Sequence, residues 1–244
     1  MHILSKLCLS TALTVSLMSI SSCAQAGPGP DVKEDDVKRI IKEYLMENPE
    51  IVRDALIELD RKEEAAAMAA VTNELRNDPR DIVIGPKNAK VTIIEFFDYN
   101  CGFCKRSTDW VKTTMEKHPN DVRVIFKETP VLDRSKKTSR HAAKAALAAA
   151  RQGKYKAVHF ALMDERGLTK ERIRKIVEKA GLDMKKFDAD MKDVQIEKHI
   201  EDTLDLAKRI PALSGTPFFM INDEYVSGAN TPRLQDILEQ ELKS

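Results

Sequence analysis

Past the breaker Gly27-Pro28-Gly29-Pro30, the apolar residues Val32, Val37, Ile40, Ile41, Tyr44 and Leu45 recur at helical spacing and stop at Asn48-Pro49, which predicts a first short helix. A second helical pattern opens at Pro49 with Ile51, Val52, Ala55, Leu56 and Leu59. It continues through Arg61-Lys62-Glu63-Glu64 and the alanine-rich run Ala65 to Val71, and reaches Leu75. Asn77-Asp78-Pro79 closes it, because a proline steers the residue before it out of the α region. A domain boundary near residue 78 follows. Residues 27–78 then form a helical extension whose apolar stripe is too large for the extension to bury alone. Either a second copy covers the stripe, making the extension an oligomerisation arm, or the main domain does, making it a helical cap.

Beyond the boundary the period changes. Asp81 to Ile84 and Val91 to Phe97 read as strands, the second apolar almost throughout and therefore expected inside a mainly parallel sheet. A helix is predicted from about Cys101 to Lys117 and a strand over Val122 to Lys127, completing a βαβ unit. A helical block then spans about residues 135–210, punctuated by Gly153, Gly167 and Gly181, the last two placed as helix C-caps. Pro217 to Ile221 and Glu224 to Val226 predict an antiparallel pair about Asn222-Asp223, and Thr231 is read as the cap of a final helix with Pro232 in its first position. The order is βαβ, inserted helices, ββα: an α/β domain over residues 79–244.

Residues 1–26 change the setting. Lys6 precedes a weakly apolar run from Leu7 to Ile20, which Ser10, Thr11, Thr14, Ser16 and Ser19 interrupt. A membrane span needs about 20 predominantly apolar residues, so the run reads as a secretory signal peptide. Ala24-Gln25-Ala26 fits cleavage before Gly27, while Ile20-Ser21-Ser22-Cys23 also fits the lipobox that would acylate Cys23. The leader removes one of 40 basic residues, leaving 39 against 39 acidic ones. A balanced charge has no electrostatic footprint for nucleic acid or an anionic membrane.

Of the four cysteines, Cys8 and Cys23 lie in the leader, so only Cys101 and Cys104 reach the mature chain. A staple closing so small a loop adds little to a chain that can bury a real core. The pair opens a helix directly after a buried strand, where unsatisfied N–H groups and the helix dipole favour a thiolate. Cys101 is therefore expected to be the exposed nucleophile and Cys104 the shielded resolving thiol, with the Cys101–Cys104 disulfide as the redox group and no other cofactor. Zinc lacks a second ligand pair, since His118, His141, His159 and His199 show no C₂H₂ spacing. Cuprous ion remains open as an opportunistic guest of the two thiols. Glu95, inside Val-Thr-Ile-Ile-Glu-Phe-Phe, would be a carboxylate in a buried strand, costly without a partner.

With Ser214-Gly215-Thr216-Pro217 placed directly before a strand, residues 79–244 resemble the DsbA-like branch of the thioredoxin superfamily, with its helical domain inserted between the βαβ and ββα halves. The resemblance implies a cis Thr216-Pro217 bond packed against the redox helix, and a substrate-binding surface of Gly102, Phe103, Thr216 and Pro217. A trans proline opening an edge strand is the alternative. It also matches Glu95 and Lys127 to a buried acid and a lysine that pass protons to and from Cys104, or else form a structural ion pair. Glu47-Asn48-Pro49-Glu50-Ile51-Val52, followed by Ala55-Leu56, is similar to the extension of proteins named for suppression of copper sensitivity, which assemble as trimers or dimers. Gly102-Phe103 replaces the Pro-His of oxidising members, and Thr216 replaces their valine; both differences lean towards isomerase-like members. The resemblance thus implies a periplasmic protein disulfide isomerase or reductase acting on exported proteins through a Cys101 mixed disulfide. A membrane reductase would keep it reduced. A disulfide oxidase recharged by a quinone-linked membrane oxidase, and a copper-binding or holdase chaperone, are the alternatives. A homotrimer is expected, with a homodimer second.

Overall fold

The computed structural model describes residues 33–244; the predicted leader, its predicted cleavage site and Cys23 lie outside them. The chain divides into two compact units at Ala55–Leu56.

In the first unit α1 (Glu34–Glu47) carries no buried residue, and Val37, Ile40, Ile41 and Tyr44 are exposed. Asn48 ends it: its backbone N–H and its side-chain amide both donate to the Tyr44 carbonyl at 2.9 Å. Pro49 then opens α2 (Pro49–Asn77), a position where its missing N–H costs nothing.

The second unit is built on a five-stranded sheet in the order β1-β3-β2-β4-β5. β2 (Val91–Phe97) runs parallel to β3 (Val122–Glu128), and β1 (Ile82–Ile84) lies antiparallel on the outside of β3. β4 (Phe218–Ile221) is antiparallel to β2 and pairs with β5 (Glu224–Ser227) through the two-residue turn Asn222-Asp223. Asn222 takes a positive φ of 50° there, a conformation asparagine tolerates. Between β2 and β3 runs α3 (Gly102–Lys117).

The predicted helical block resolves into α4 (Asp133–Lys136), α5 (Ser139–Ala150), α6 (Tyr155–Asp164), α7 (Lys170–Lys179), α8 (Met184–Asp190) and α9 (Val194–Lys208). Gly181, directly after the C-cap of α7, has the φ of 77° that favours glycine at a helix end, whereas α6 ends on the extended C-cap Glu165 and the predicted cap Gly167, at φ 73°, lies two residues beyond it. The final helix α10 (Thr231–Lys243) is capped by Asn230, not Thr231: the Asn230 side chain accepts from the Arg233 N–H at 3.2 Å. Asparagine and threonine are both good caps, and the first residue with helical dihedrals decided between them. No helix of the described residues is long and apolar enough to cross a membrane.

The strand pleat sorts the core into two layers. Val91, Ile93 and Phe97 of β2 face α3, α10 and the inserted helices, while Ile94 and Phe96 face Val71, Leu75, Leu206, Ala207 and Ile210. The boundary drawn near residue 78 therefore needs correction. Asn77-Asp78-Pro79 ends the helix as predicted, but Val71 and Leu75 at its C-terminal end are buried in the redox domain. Without them the cover over Ile94, Phe96 and Phe218 would be left to Leu206, Ala207 and Ile210. Leu75, only 1% exposed, should therefore behave as a core residue. Leu75→Ala is expected to cost about 2–5 kcal/mol in urea unfolding, whereas a true linker would show no change.

Candidate active site

The loop between β2 and α3 is held by one carboxylate. Asp98 accepts from the Asn100 N–H at 2.7 Å and the Ser139 hydroxyl at 2.8 Å through Oδ1, and from the Leu132 N–H at 2.9 Å through Oδ2. Its backbone carbonyl accepts from the Cys101 N–H at 2.9 Å. Cys101 is thus fixed as the N-cap of α3, extended at φ −78° and ψ 117°, with its carbonyl accepting the first helical bond from Lys105.

The two sulfurs experience different surroundings. Cys101 is 7% exposed and Cys104 is fully buried, while Phe103 between them is 56% exposed under the Arg106 guanidinium, 4.0 Å above its ring. A hydrogen bond from the Cys104 thiol, with help from the Cys104 and Phe103 N–H groups and Thr216, lowers the Cys101 pKa from 9.0 to about 5 despite burial. In its thiol form Cys101 donates from Sγ to the Thr216 carbonyl at 3.2 Å, which favours the proton; the hydrogen bonds to the thiolate outweigh it. Burial foremost, then the Cys101 thiolate and Glu95, pushes the Cys104 thiol far upward. One thiol is ionised at neutral pH and its neighbour is held protonated, as nucleophile and resolving group require.

The Thr216-Pro217 bond is cis, and Ser214, Gly215 and Thr216 form one wall of a groove of about 570 Å³. Cys101 and Phe103 lie at one side, with Val131, Leu132, Leu204 and Leu213 supplying an apolar lining. An extended apolar segment fits such a groove beside the sulfur.

A profile for the DSBA-like thioredoxin domain matches residues 92–240, from the buried strand to the last helix. The chain belongs to this family. Its extension matches a second profile, the N-terminal domain of the copper resistance protein ScsC, over residues 34–66. A thioredoxin-like oxidoreductase from Silicibacter pomeroyi is similar at 36% identity and a TM-score of 0.64, covering 70% of this chain and 98% of that one. A linker-deletion mutant of Proteus mirabilis ScsC is 26% identical with a TM-score of 0.69, covering 87% of this chain and 98% of its own. A periplasmic thioredoxin-like protein from Salmonella enterica is 31% identical with a TM-score of 0.63, covering 72% and 97%. Among curated sequences, the Na(+)/H(+) antiporter NhaA 3 of Salinispora tropica matches at 31% identity over 147 residues, 59% of this chain. The chain spans only 22% of that relative's length, so the likeness is to one part of it. The fold and family are those of thiol–disulfide oxidoreductases of the DsbA/ScsC type.

Within this family member, the predicted site residues divide. Cys101, Gly102, Phe103 and Thr216 meet at the groove, with Pro217 joined to Thr216 by the cis bond. Glu95 is fully buried, and burial raises its pKa to about 8. Lys127 does not join it. In the parallel register Glu95 lies beside Phe126 and Lys127 beside Phe96, so the two side chains leave opposite faces of the sheet. Lys127 instead donates to the Glu74 carbonyl at 2.7 Å and to the Asp81 carboxylate. A Glu95–Lys127 relay or ion pair is excluded by one residue of strand phase. Asp78, Asp81 and His199 bring ligand atoms within 4.8 Å of one another, yet Lys127 and Arg80 already neutralise the two carboxylates, as a metal would.

Three groups escaped the sequence reading. Asp98 is a short polar residue in a loop, where aspartate is ordinary. Lys105 donates to the Leu162, Met163 and Glu165 carbonyls at 3.0, 2.9 and 2.8 Å, satisfying all three ammonium protons at the end of α6. Glu128 sits one residue past the predicted strand end. Extending the alternation Val122, Val124, Phe126 by two residues would have flagged an acid in the inward row.

Proposed function

We propose that the protein is a periplasmic disulfide isomerase or reductase for exported proteins, acting through a mixed disulfide on Cys101 that Cys104 resolves. The observation that supports it most is the unequal pair: a Cys101 thiolate stabilised to about pH 5 at the rim of an apolar groove, over a Cys104 thiol kept protonated by burial. The thiolate attacks a substrate disulfide, and the groove holds the flanking segment while Gly102, Phe103, Thr216 and Pro217 contact its backbone. Cys104 then either releases the substrate reduced or waits while a second substrate thiol re-pairs it, which is isomerisation. A membrane reductase would return Cys101–Cys104 to the dithiol form.

The exposed row of Ile40, Ile41 and Tyr44 on α1, with Ile51, Val52 and Leu56 on α2, supports assembly into a homotrimer, or a homodimer, through the extension. Several redox domains facing one space would shield Cys101 from a membrane oxidase and present several thiols to one misfolded substrate. Disulfide oxidase is the second reading, because a stabilised thiolate also makes the disulfide form an oxidant.

Reactivating a scrambled multi-disulfide substrate tests direction against oxidation of the same substrate fully reduced. We expect faster reactivation than oxidation, and Ile40→Glu with Tyr44→Glu to convert the assembly to monomers in light scattering and to remove reactivation while retaining reductase activity. A monomeric unaltered protein, or monomers that isomerise equally well, would refute the role of assembly.

A further inference from the structure

Among the described residues, two buried side-chain atoms have no hydrogen-bond partner: Glu95 Oε1 and Glu128 Oε2. The register puts both carboxyls on one face of the sheet, on neighbouring strands, since Glu95 lies beside Phe126 and Glu128 beside Phe97. That is the face α3 covers with Cys104. The surroundings of the two acids differ. Glu128 Oε1 accepts from the Tyr99 hydroxyl and from the Tyr155 hydroxyl, each at 2.9 Å, and the Tyr99 oxygen also lies 3.0 Å from His159 Nδ1. Glu95 makes no hydrogen bond of this kind. Two phenol donors converging on one oxygen stabilise a carboxylate, so Glu128 has a means of holding a negative charge that Glu95 lacks.

We infer that Glu128 is a second acid of the exchange reaction, acting through Glu95 to supply the proton that Cys104 needs when the Cys101–Cys104 disulfide opens. This rests on the oxidoreductase function proposed above. An incoming thiolate attacks Cys101 Sγ, forming the mixed disulfide and breaking the bond to Cys104 Sγ, which leaves with the electron pair. Cys104 cannot persist as a thiolate in its buried site and takes the proton of Glu95. The Glu128 carboxylic acid then reprotonates Glu95, and the charge comes to rest under the Tyr99 and Tyr155 hydroxyls. No oxidant or reductant beyond the incoming thiolate is consumed. In the reverse step, closing the disulfide, the proton returns along the same path.

Both acids carry their protons at rest. Glu95 holds its proton up to about pH 8, and burial pushes Glu128 well above the ordinary carboxylate range, with Asp98 and Glu95 adding to it and the two tyrosines opposing. The titratable groups facing Glu128 are Tyr99 and Asp98 from the loop, Tyr155 and His159 from α6, and Glu95 from β2. His159 is neutral, its pKa lowered to about 3 by burial, so no cation holds Glu128 ionised beforehand.

The test is single-turnover reduction of the Cys101–Cys104 disulfide in the full chain by dithiothreitol, quenched by alkylation, from pH 5 to pH 10. Glu128→Gln keeps an acceptor for both tyrosines and removes the proton. We expect a slowing of about tenfold or more below pH 8 that fades above it, an unchanged Cys101 titration, and no further loss when Glu128→Gln is added to Glu95→Gln. Tyr155→Phe, which removes one donor, should slow the step in the same pH range by a smaller factor, and it carries the test should the glutamine variant not fold. Wild-type rates in both variants, or a loss uniform across pH, would overturn the inference and leave the oxidoreductase function standing. Failure of the unaltered protein to react with dithiothreitol would instead overturn that function.

Discussion

Replacing Cys101 with serine is expected to abolish disulfide exchange, lowering insulin reduction by about three orders of magnitude or more, since among the described residues the one other thiol, Cys104, is fully buried. Cys104→Ser should do something different: attack still occurs, and the mixed disulfide accumulates because its resolving thiol is gone. The cause is the asymmetry of the pair, in which Cys101 is ionised above about pH 5 while Cys104 stays protonated. The same asymmetry has a stability signature. In the unfolded chain Cys101 titrates near 9, so between about pH 5 and 9 the folded reduced protein binds fewer protons than the unfolded one. Its stability therefore rises with pH across that window, is complete above 9, and is lost as pH falls through 5. Thiolate absorbance should show a midpoint near 5, and urea unfolding of the reduced protein should steepen against pH where Cys101→Ser does not. Preferential alkylation of Cys104 in the folded reduced protein would reverse the assignment.

Glu95→Gln is expected to stabilise the protein while slowing it. Burial raises the Glu95 pKa from 4.5 to about 8, so between those values the folded chain retains a proton that the unfolded chain has released. Stability then falls as pH rises through the window, and the penalty is complete above 8. The difference amounts to about 3–5 kcal/mol before the cost of burying the amide is subtracted. Glutamine does not titrate. Wild type and variant should therefore differ little at pH 4 and diverge steadily to pH 8 in urea unfolding. The price is catalytic, because opening and closing the disulfide move the Cys104 proton through Glu95. A stability gap that does not change with pH would mean that Glu95 is ionised in the folded protein and paired in some other way.

Lys127 and Leu75 show where reading the chain alone stops. Both lie in segments whose secondary structure follows from local pattern, and both have roles that depend on what packs opposite. For Lys127, strand phase relative to Glu95 sent the side chain to the other side of the sheet, where Asp81 and Glu74 receive it. For Leu75, a helix pattern continuous from Pro49 carried no mark of where the exposed part ends and the buried part begins. The redox pair is the contrasting case. Its spacing, its place at a helix start after a buried strand, and the distant Thr216-Pro217 before another strand were all present in the sequence.

The sequence by itself determined the order of elements, the redox pair, its helix N-terminus and the two-residue turn of the β4–β5 hairpin. Each follows from interactions within a few residues: apolar period, proline's effect on its neighbour, or the orphan N–H groups of a first helical turn. Only the tertiary structure decided that Lys127 turns away from Glu95, that the end of α2 completes the core, that Asp98 ties the redox loop to the inserted helices, and that Tyr99, Tyr155 and His159 gather on Glu128. Those contacts join residues as far apart as Glu74 and Lys127, or Glu128 and Tyr155. Their partners are chosen by strand register and helix docking, in which a shift of one residue moves a side chain to the other face of the sheet.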